Sequence, residues 1–475
     1  MQQTARLSII QNIDRPRLPL MTKQLPPSRR SGVTTSPVKA VGLLMGLAAA
    51  TPALGSPFPG IPLRPWHVFV LLAFAFAVFH RIRARGLLIP KLPALDLAVL
   101  LTVFVTGVVE IFNAGYLNYA PDYIIVLRPA IWLVIYWSAR YTVSSIEDAR
   151  KLLKWFILPA FPSVALGFAQ VLGVEAVQQA IATLAPDGTG FINRLESGGL
   201  IRATAFVQHW TSFGSYLCTI AAAGGSLLIL SHVYGIGRPA AAWLTLAVCG
   251  LGVMCTFTLA PIVTVLVISV VSAMVARAIG RIALIVAIAG FLSAATLGPL
   301  LAERFHQQFE MKRGATSDSG LNLVPSTLLY RYHIWISETV PMIAERPATG
   351  WGTNVYELLT GKVDRDRIYP TGLAHISAES QWLYFMMTFG AIGLSSFVLV
   401  IIAVGRLVRQ GFVAGARWIA VPLAALLLIS LLSSTTAPVY TNHGLPTGMW
   451  LLLGLLAAFV GSQALRGRQS LHHAP

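Results

Sequence analysis

The sequence predicts an all-α polytopic membrane protein, and three observations lead to that fold class. Of its 475 residues, 55% are hydrophobic and only 11% are charged, and the mean hydropathy is +0.69. Apolar segments of membrane length recur along the chain, and Lys and Arg residues cluster in alternate loops between them. A soluble domain rarely combines these properties, whereas a protein that crosses a bilayer repeatedly needs all three.

The apolar segments predict about twelve membrane spans. A hydrocarbon core of about 30 Å needs roughly 20 apolar residues in a helix, and somewhat fewer beside a proline or a re-entrant end. The predicted spans are Ala40–Ser56, Trp66–His80, Ala94–Asn113, Asp122–Ser138, Trp155–Gly173, Thr211–Ser231, Ala241–Leu259, Ile262–Ala276, Ile282–Leu301, Ala378–Val404, Trp418–Ala437 and Pro446–Gln463. One long polar loop separates the ninth span from the tenth, so candidate functional residues concentrate there.

The distribution of basic residues predicts the orientation of the spans. Lys and Arg in short loops are retained on the cytoplasmic side, and acidic residues contribute little. With both termini in the cytoplasm, 23 of the 35 Lys and Arg residues lie in inner segments and 11 in outer ones. The formal charge of +17 is therefore a topology signal, and these cations are expected to contact anionic lipid headgroups. No basic patch is interleaved with aromatic residues on a soluble domain, so no nucleic-acid partner is expected.

The chain divides into a membrane part and several polar regions. Residues 1–39 are polar, basic and Pro-containing, which predicts a disordered cytoplasmic tail. An alternative is that Leu43–Ser56 is the apolar region of a signal peptide, although the charged stretch before it is long for one. The other predicted regions are spans one to nine (40–301), an outer loop with an amphipathic helix (302–377), spans ten to twelve (378–463) and a cytoplasmic tail (464–475).

Several reaction classes lack their sequence signatures in this chain. It contains no phosphate-binding loop, no dinucleotide fingerprint and no His-Glu-x-x-His zinc motif, so no cofactor and no metal are expected. Cys218, Cys249 and Cys255 fall in predicted spans, which argues against a disulfide framework on the outer face. No duplicated half with interrupted helices is visible, which argues against a secondary transporter.

The first candidate segment, 202–209, leads into the sixth predicted span. Arg202 and His209 are therefore expected at the outer membrane boundary. A guanidinium is a permanently charged, bidentate fork that matches phosphate oxygens, so Arg202 is a candidate ligand for a diphosphate. Snorkelling of Arg202 to lipid headgroups explains the same position equally well.

The second candidate segment lies in the large outer loop and has the spacing of an amphipathic helix. Apolar residues recur at helical spacing from Leu328 to Ile343, and Pro347 with the turn Gly350–Gly352 ends the pattern. Such a helix is expected to lie against the bundle or in the membrane interface. Glu338 and Glu345 are expected on a solvated face.

Three residues of this loop are candidates for substrate binding. Arg331 lies on the polar side of the predicted helix, where it is able to face a ligand. Tyr332, beside it, and Arg304, at the start of the loop, are further candidates.

The third candidate segment opens the tenth predicted span. His375 and Glu379 are four residues apart at an expected helix start, so they would share one face at the membrane surface. Either side chain is able to accept a proton from a sugar hydroxyl if partial burial moves its pKa toward neutrality. Alternatively, Glu379 stabilises the positive N-terminus of the helix.

One arginine lies inside a predicted span. Counting 1.5 Å per residue from Asp122, Arg128 lies about 9 Å below the outer end of its helix, within snorkelling reach of the outer face. A charge at that depth usually pairs or lines a polar cavity. Glu110 is the expected partner if the role is structural, and a contact between Arg128 and substrate fits the sequence equally well.

Taken in order, these segments resemble the O-antigen ligase and O-antigen polymerase superfamily of bacterial envelope glycosyltransferases. Its ordered motifs are an Arg-containing run before a helix, an Arg with a Trp four residues later, a Pro before Gly-x-Gly, and a helix start before Gly-x-x-Gly. The corresponding positions here are 202–209, Arg331, Trp335, Pro347, Gly350–Gly352 and Gly390–Gly393.

Two departures from the family pattern bear on activity. Where ligases of the family place a histidine at the helix start, this chain has Glu379, and the nearest histidine is His375, one turn earlier. A Ser-Arg pair common between the seventh and eighth spans is replaced by the stretch 257–261. One diphosphate contact would then come from elsewhere, and Arg128 is a candidate.

The resemblance implies an inverting glycosyltransferase in the bacterial inner (cytoplasmic) membrane, with its site at the periplasmic face. The donor would be an undecaprenyl-diphosphate-linked oligosaccharide. Arg202, Arg331 and Arg128 would hold the diphosphate, and Glu379 or His375 would activate the acceptor hydroxyl.

The absence of the ligase histidine favours polymerisation of exopolysaccharide or O-antigen repeat units. The alternatives are a ligase that transfers the glycan to lipid A core, a transporter or flippase of the same glycan, and a catalytically silent relative. Expected partners are membrane lipids and, for a polymerase, polysaccharide chain-length regulator or export proteins.

Overall fold

The computed structural model describes most of the membrane part of the chain. The described ranges are 36–56, 64–85, 93–185, 200–207, 209–310, 326–355, 378–440 and 444–472, together with Ile192 and Leu195. His375 and nearly all of the predicted N-terminal tail lie outside these ranges.

The described residues form helices, turns and irregular segments, and they contain no strand. Their α-helices are α1 (Ser36–Ala50), α2 (Pro65–Arg85), α3 (Ala94–Leu117), α4 (Tyr123–Thr142), α5 (Ile146–Ile157), α6 (Ala160–Val171), α7 (Glu175–Leu184), α8 (Trp210–Val233), α9 (Pro239–Met254), α10 (Leu259–Val275), α11 (Ile279–Glu310), α12 (Ser326–Ile334), α13 (Val340–Glu345), α14 (Gln381–Val413), α15 (Arg417–Ser433) and α16 (Gly444–His472). A π-helical turn, Trp335–Thr339, joins α12 to α13.

The predicted all-α membrane fold is confirmed. Within the described ranges, seven helical segments are long and apolar enough to cross a membrane, namely α2, α3, α4, α5 with α6, α8, α14 and α16. Four shorter apolar helices are α1, α9, α10 and α15. Together with α11, a helix overlaps each predicted span, while the number that cross the bilayer stays a prediction.

The helix over the fifth predicted span, Trp155–Gly173, has different ends from that span and is interrupted inside it. The helix begins a full two turns earlier, after Ser145, whose hydroxyl accepts a hydrogen bond from the backbone N–H of Asp148 at 3.0 Å. It is interrupted at Leu158 and Pro159, where α5 ends and α6 begins. The first turns of α5 are charged, so an apolar pattern does not indicate where the helix begins. The interruption follows from Pro159, which has no backbone N–H to donate within the helix.

Helix α8 is the central helix of the bundle, and its apolar stretch is entirely buried. Its small residues allow this, because a Cβ on Gly224 would lie only 3.0 Å from the side chain of Thr245 in α9. On the next residue, Gly225, a Cβ would overlap Ser272 of α10. Small residues permit close helix packing in membranes, where apolar burial alone provides little driving force.

The predicted outer ends of the helices meet at one end of the bundle. The backbone N–H of Gln381, at the start of α14, donates to the Ser434 carbonyl after α15 at 2.8 Å, and the Gln381 side chain accepts from the N–H of Tyr440 at 2.9 Å. At the other end, the Tyr234 hydroxyl donates to the Gly415 carbonyl at 3.0 Å. The helices are therefore grouped as the basic-residue pattern predicts, and the side that each end faces stays a prediction.

The amphipathic helix of the outer loop is present, but its faces differ from the prediction. A π turn inserts an extra residue before Pro341, whose missing N–H cannot donate within the helix, and the insertion rotates the helix face. Glu338 is only 8% exposed, so its assignment to a solvated face is wrong, whereas Glu345 is exposed. The apolar stripe is the exposed face, and its members are Leu328, Tyr332, Ile336 and Val340.

Candidate active site

An ion pair joins the outer loop to the start of α14. Arg331 Nε lies 3.3 Å from Glu379 Oε2, and the two side chains are 28% and 33% exposed. One turn further along the loop helix, Trp335 Nε1 donates to the carbonyl of Ala378 at 2.8 Å. The ion pair and this hydrogen bond therefore attach the loop helix to the segment just before α14.

Glu379 has a strained backbone and lies outside the helix, which corrects the expectation of a helical position. Its φ is 50°, and α14 begins two residues later, at Gln381. Ser380 is the N-cap residue, with its hydroxyl 3.5 Å from the N–H of Leu383. A left-handed conformation costs a non-glycine residue roughly 1–2 kcal/mol, and such strain is concentrated at functional sites.

Tyr330 shares the electrostatic environment of the ion pair. Burial raises the pKa of its hydroxyl, the carboxylates of Glu379 and Glu338 raise it further, and Arg331 opposes them. The Tyr330 hydroxyl therefore keeps its proton at neutral pH and is able to donate a hydrogen bond. The site thus contains a guanidinium, a carboxylate and a phenol on neighbouring elements.

Helix α14 is broken at Gly390, and the loop turn fills the break. The φ and ψ of Gly390 are 62° and −165°, which interrupts the helical ladder. Backbone N–H groups from the turn donate across it, from Trp351 to the Met387 carbonyl at 2.7 Å and from Gly352 to the Thr388 carbonyl at 2.9 Å. In return, the N–H of Ala391 donates to the Pro347 carbonyl at 2.8 Å. Non-helical backbone in a membrane helix is stable when protein groups satisfy it in this way.

Glycine is required on both sides of this contact. A Cβ on Gly390 would overlap the carbonyl of Ala348, and one on Gly350 would lie 2.6 Å from the Met387 carbonyl oxygen. Gly350 and Gly352 have φ values of 65° and 86°, which side chains disfavour. The Gly-Trp-Gly turn and Gly390 are therefore two halves of one backbone junction.

Arg202 is buried in a separate set of contacts. It is 5% exposed, its Nη2 donates to the Phe257 carbonyl at 3.2 Å, and its guanidinium carbon lies 4.8 Å from the ring centroid of Trp210. A side chain so enclosed by protein does not fit the snorkelling alternative. His209 is the N-cap residue of α8, where its Nδ1 accepts from the N–H of Thr211 at 3.3 Å.

Arg128 borders a small cavity between α3, α4 and α14. The cavity has a volume of about 30 Å³. A water molecule needs at least roughly 10–15 Å³, so the space accommodates about two waters and not a diphosphate. Glu110, the expected partner of Arg128, accepts hydrogen bonds from Thr353 and from the N–H of Asp122. The cavity is lined by Thr102, Thr106, Ile125, Arg128, Pro129, Trp132, Tyr384, Phe385 and Phe389.

The other sequence candidates are dispersed. Tyr332 is 59% exposed on the apolar stripe, whereas its neighbour Tyr330 shares the field of Glu379. The backbone of Arg304 belongs to α11, and its side chain is outside the described part of the structure. His375 is also outside the described residues, so the structure brings together Arg331 and Glu379 from the original candidates.

A family model described as O-antigen ligase matches residues 244–398. This match supports the resemblance of residues 244–398 to the O-antigen ligase/polymerase superfamily. Members of this superfamily are glycosyltransferase-like membrane enzymes, and the family implies lipid-linked glycan substrates. The search of curated proteins gave no match.

The O-antigen ligase region contains the ion pair and the backbone junction. Arg331, Glu379, the Gly350–Gly352 turn and Gly390 all fall within the matched residues. Arg128 and Arg202 precede the match, and so does His209. The family match therefore covers the segment that contains both the ion pair and the backbone junction.

Sequence reasoning missed a polar stripe on α3. Thr102, Thr106, Glu110 and Asn113 recur at intervals of four, four and three residues, and all are buried. Their helical spacing, which places them on one face of an apolar helix, could have predicted this stripe from the sequence. Polar residues are costly in a membrane and often mark functional positions. Glu110 was considered only as a partner for Arg128.

Proposed function

We propose that this protein polymerises undecaprenyl-diphosphate-linked oligosaccharide repeat units of an exopolysaccharide or O-antigen at the periplasmic face of the inner membrane. The observation that carries the proposal is the Arg331–Glu379 pair, with 3.3 Å between its charged groups inside the O-antigen ligase region. A group-transfer reaction with a diphosphate leaving group needs a cation for that group and a base for the acceptor.

The reaction is a displacement at the anomeric carbon of the donor. A hydroxyl of another lipid-linked repeat unit attacks this carbon and forms the new glycosidic bond, while Glu379 accepts the hydroxyl proton. The bond between the anomeric carbon and the diphosphate oxygen breaks, and undecaprenyl diphosphate leaves with the electron pair. Arg331 offsets the charge that develops on the leaving group. Attack from the opposite side inverts the anomeric configuration.

The ion pair suggests how donor binding prepares the base. A diphosphate has more negative charge than one carboxylate and matches the guanidinium fork, so it competes effectively for Arg331. A partly exposed ion pair contributes only about 0–1 kcal/mol, which makes this exchange inexpensive. Once the diphosphate has displaced it from Arg331, Glu379 is able to accept the proton of the acceptor hydroxyl. The base therefore becomes available after the donor has bound.

The remaining candidates would have secondary roles in binding the diphosphate or in accepting the proton. Arg202 would reach the diphosphate after its stacking on Trp210 opens, and Arg128 after the small cavity widens. His375, four residues before Glu379, is the alternative base. Tyr330, which retains its proton, would donate a hydrogen bond to the sugar or the diphosphate.

Polymerisation is favoured over ligation by the carboxylate at position 379. The resemblance places a histidine there in ligases, and this chain has Glu379. The predicted inner-membrane location, with cytoplasmic termini, is supported by the 23 of 35 basic residues in the inner segments. A chain-length regulator or export proteins would be the protein partners of such an enzyme.

Glycan analysis by gel electrophoresis tests this proposal. A strain lacking the gene is complemented with the wild type, Arg331→Ala or Glu379→Gln. We expect both variants to lose long polymer while single repeat units still reach the acceptor. Accumulation of lipid-linked polymer without attachment would assign ligase activity instead, and normal glycan with both variants would favour a transporter or a silent relative.

Two control variants match the charge changes. Glu345→Gln removes a carboxylate from the same loop at an exposed position, and Arg409→Ala removes an exposed arginine near the other end of α14. We expect both controls to restore normal polymer, which would show that loss of a charge alone does not impair the protein.

A further inference from the structure

Two buried polar residues near the outer end of α3 face the loop turn. Glu110 and Asn113 each have 0% of their surface exposed. Burying a carboxylate and an amide among apolar helices is costly unless both are fully hydrogen-bonded. Simple packing of α3 would need only apolar residues here, so the bonds that these side chains form are informative.

Glu110 binds the C-terminal end of the turn, at Thr353. Its Oε2 accepts from the backbone N–H of Thr353 at 2.9 Å, and its Oε1 accepts from the hydroxyl of the same residue. The N–H of Asp122, which caps α4, also donates to Oε1 at 3.3 Å. One carboxylate thus connects α3, the start of α4 and the loop.

Asn113 binds the N-terminal end of the turn, at Arg346 and Thr349. Its Nδ2 donates to the Thr349 carbonyl at 2.9 Å, and its Oδ1 accepts from Arg346 Nη2 at 3.0 Å. The Arg346 guanidinium lies over the rings of Tyr116 and Trp351, at 4.8 and 5.4 Å from their centroids. The Gly-Trp-Gly turn is therefore held on both sides by directional bonds from α3.

The turn connects these bonds to the ion pair by two routes. Toward the N-terminus it continues the loop helix, which contains Arg331. Across the backbone junction it supports the break of α14 at Met387–Ala391, and the first half of α14 begins two residues after Glu379. A displacement of the turn would therefore change the relative position of the two charged groups.

We propose that Glu110 and Asn113 are positioning residues for the Arg331–Glu379 pair and act through the turn 347–353. This inference rests on the proposed function, in which Arg331 and Glu379 contact the substrate. Directional bonds fix the orientation of the turn, which apolar packing would not. A misplacement of about 1 Å that originates far from the reacting atoms costs an enzyme on the order of 100-fold in rate.

Paired substitutions at Thr353 provide the sharpest test, because they separate the hydroxyl, which donates a hydrogen bond to Glu110, from the rest of the side chain. Thr353→Val keeps the size of the side chain and removes the hydroxyl, whereas Thr353→Ser keeps the hydroxyl. We expect Thr353→Val to lower polymer yield per folded protein about tenfold or more and Thr353→Ser to retain it. Glu110→Gln and Asn113→Leu should behave like Thr353→Val. Folded protein is quantified by size-exclusion chromatography of a fluorescent fusion.

The outcomes separate this inference from the proposed function. Normal polymer from Thr353→Val and Glu110→Gln, together with inactive Arg331→Ala and Glu379→Gln, would overturn the positioning role alone. Loss of folded Thr353→Val without loss of turnover in the folded fraction would also overturn it, since the hydroxyl would then be a stability anchor. If Arg331→Ala and Glu379→Gln polymerise normally, the proposed function itself fails.

Discussion

At the scale of single residues, the proposed site depends on two opposite charges that pair with each other, and we propose that the donor diphosphate separates them. Arg331 and Glu379 are about one-third exposed, so the pair is accessible and only weakly stabilising. The strained backbone of Glu379 indicates that its position is imposed by the neighbouring contacts. We therefore expect each partner to influence how the other meets the donor.

Removing the carboxylate should strengthen binding of the leaving group. In Glu379→Gln, the carboxylate of the ion pair no longer competes for Arg331, so we expect undecaprenyl diphosphate to bind up to about fivefold more tightly, the equivalent of about 1 kcal/mol. Arg331→Ala should weaken binding. Equilibrium titration of the purified protein in lipid nanodiscs measures both changes. Weaker binding by Glu379→Gln would contradict the exchange of anions at Arg331.

The chemistry of individual residues was predictable, but their pairing was not. Arg331 and Glu379 were each identified by residue type and by position in the outer segments. They are 48 residues apart, and much of the chain between them has no regular pattern, so no spacing rule brings them together. Arg202 looked equally suitable for a diphosphate, and only its burial against Trp210 and Phe257 distinguishes it.

At the scale of elements, the central feature is a membrane helix whose break is completed by a loop. The apolar run of α14 predicted a long apolar helix but not its break, because Gly390 alone does not interrupt an apolar pattern. The break is stable only with backbone donors from 347–352, a tertiary effect. Similarly, Pro341 and its π turn changed which face of the loop helix is buried.

Adding one methyl group at the break should disrupt the junction. In Gly390→Ala, the Cβ would overlap the carbonyl of Ala348, and the backbone conformation, which almost only glycine adopts, costs about 1–3 kcal/mol by itself. We expect a lower thermal unfolding temperature and loss of polymer. Gly405→Ala is the matched control in the same helix, because a Cβ there meets nothing within 4 Å. An equal effect of both substitutions would contradict a specific junction at Gly390.

At the scale of the whole molecule, the hydrogen bonds between helix ends agree with the arrangement that the basic residues predict, and the side of the membrane that each end faces stays a prediction. Apolar length and basic-residue alternation predicted that arrangement, because both follow directly from the properties of a bilayer. Glu110 and Asn113, the last two members of the polar stripe of α3, and the junction at α14 lie toward the predicted outer end, together with the ion pair. We expect a lipid-linked glycan to bind at that end of the bundle.

Cysteine labelling tests the orientation of the molecule. Cys218, Cys249 and Cys255 are buried, so background labelling should be low. We expect Glu345→Cys to react with a membrane-impermeant maleimide in spheroplasts and Arg409→Cys to react only after the membrane is permeabilised. The opposite pattern would place the site in the cytoplasm and exclude the proposed donor geometry.

The most direct test of the central claim is polymerisation by the purified protein in liposomes. Wild type and Glu379→Gln are supplied with lipid-linked repeat units from the producing strain, and product length is measured. We predict polymer and released undecaprenyl diphosphate with wild type, and neither with Glu379→Gln although it binds undecaprenyl diphosphate. Polymer of normal length and rate from Glu379→Gln would contradict the assignment of Glu379 as the base.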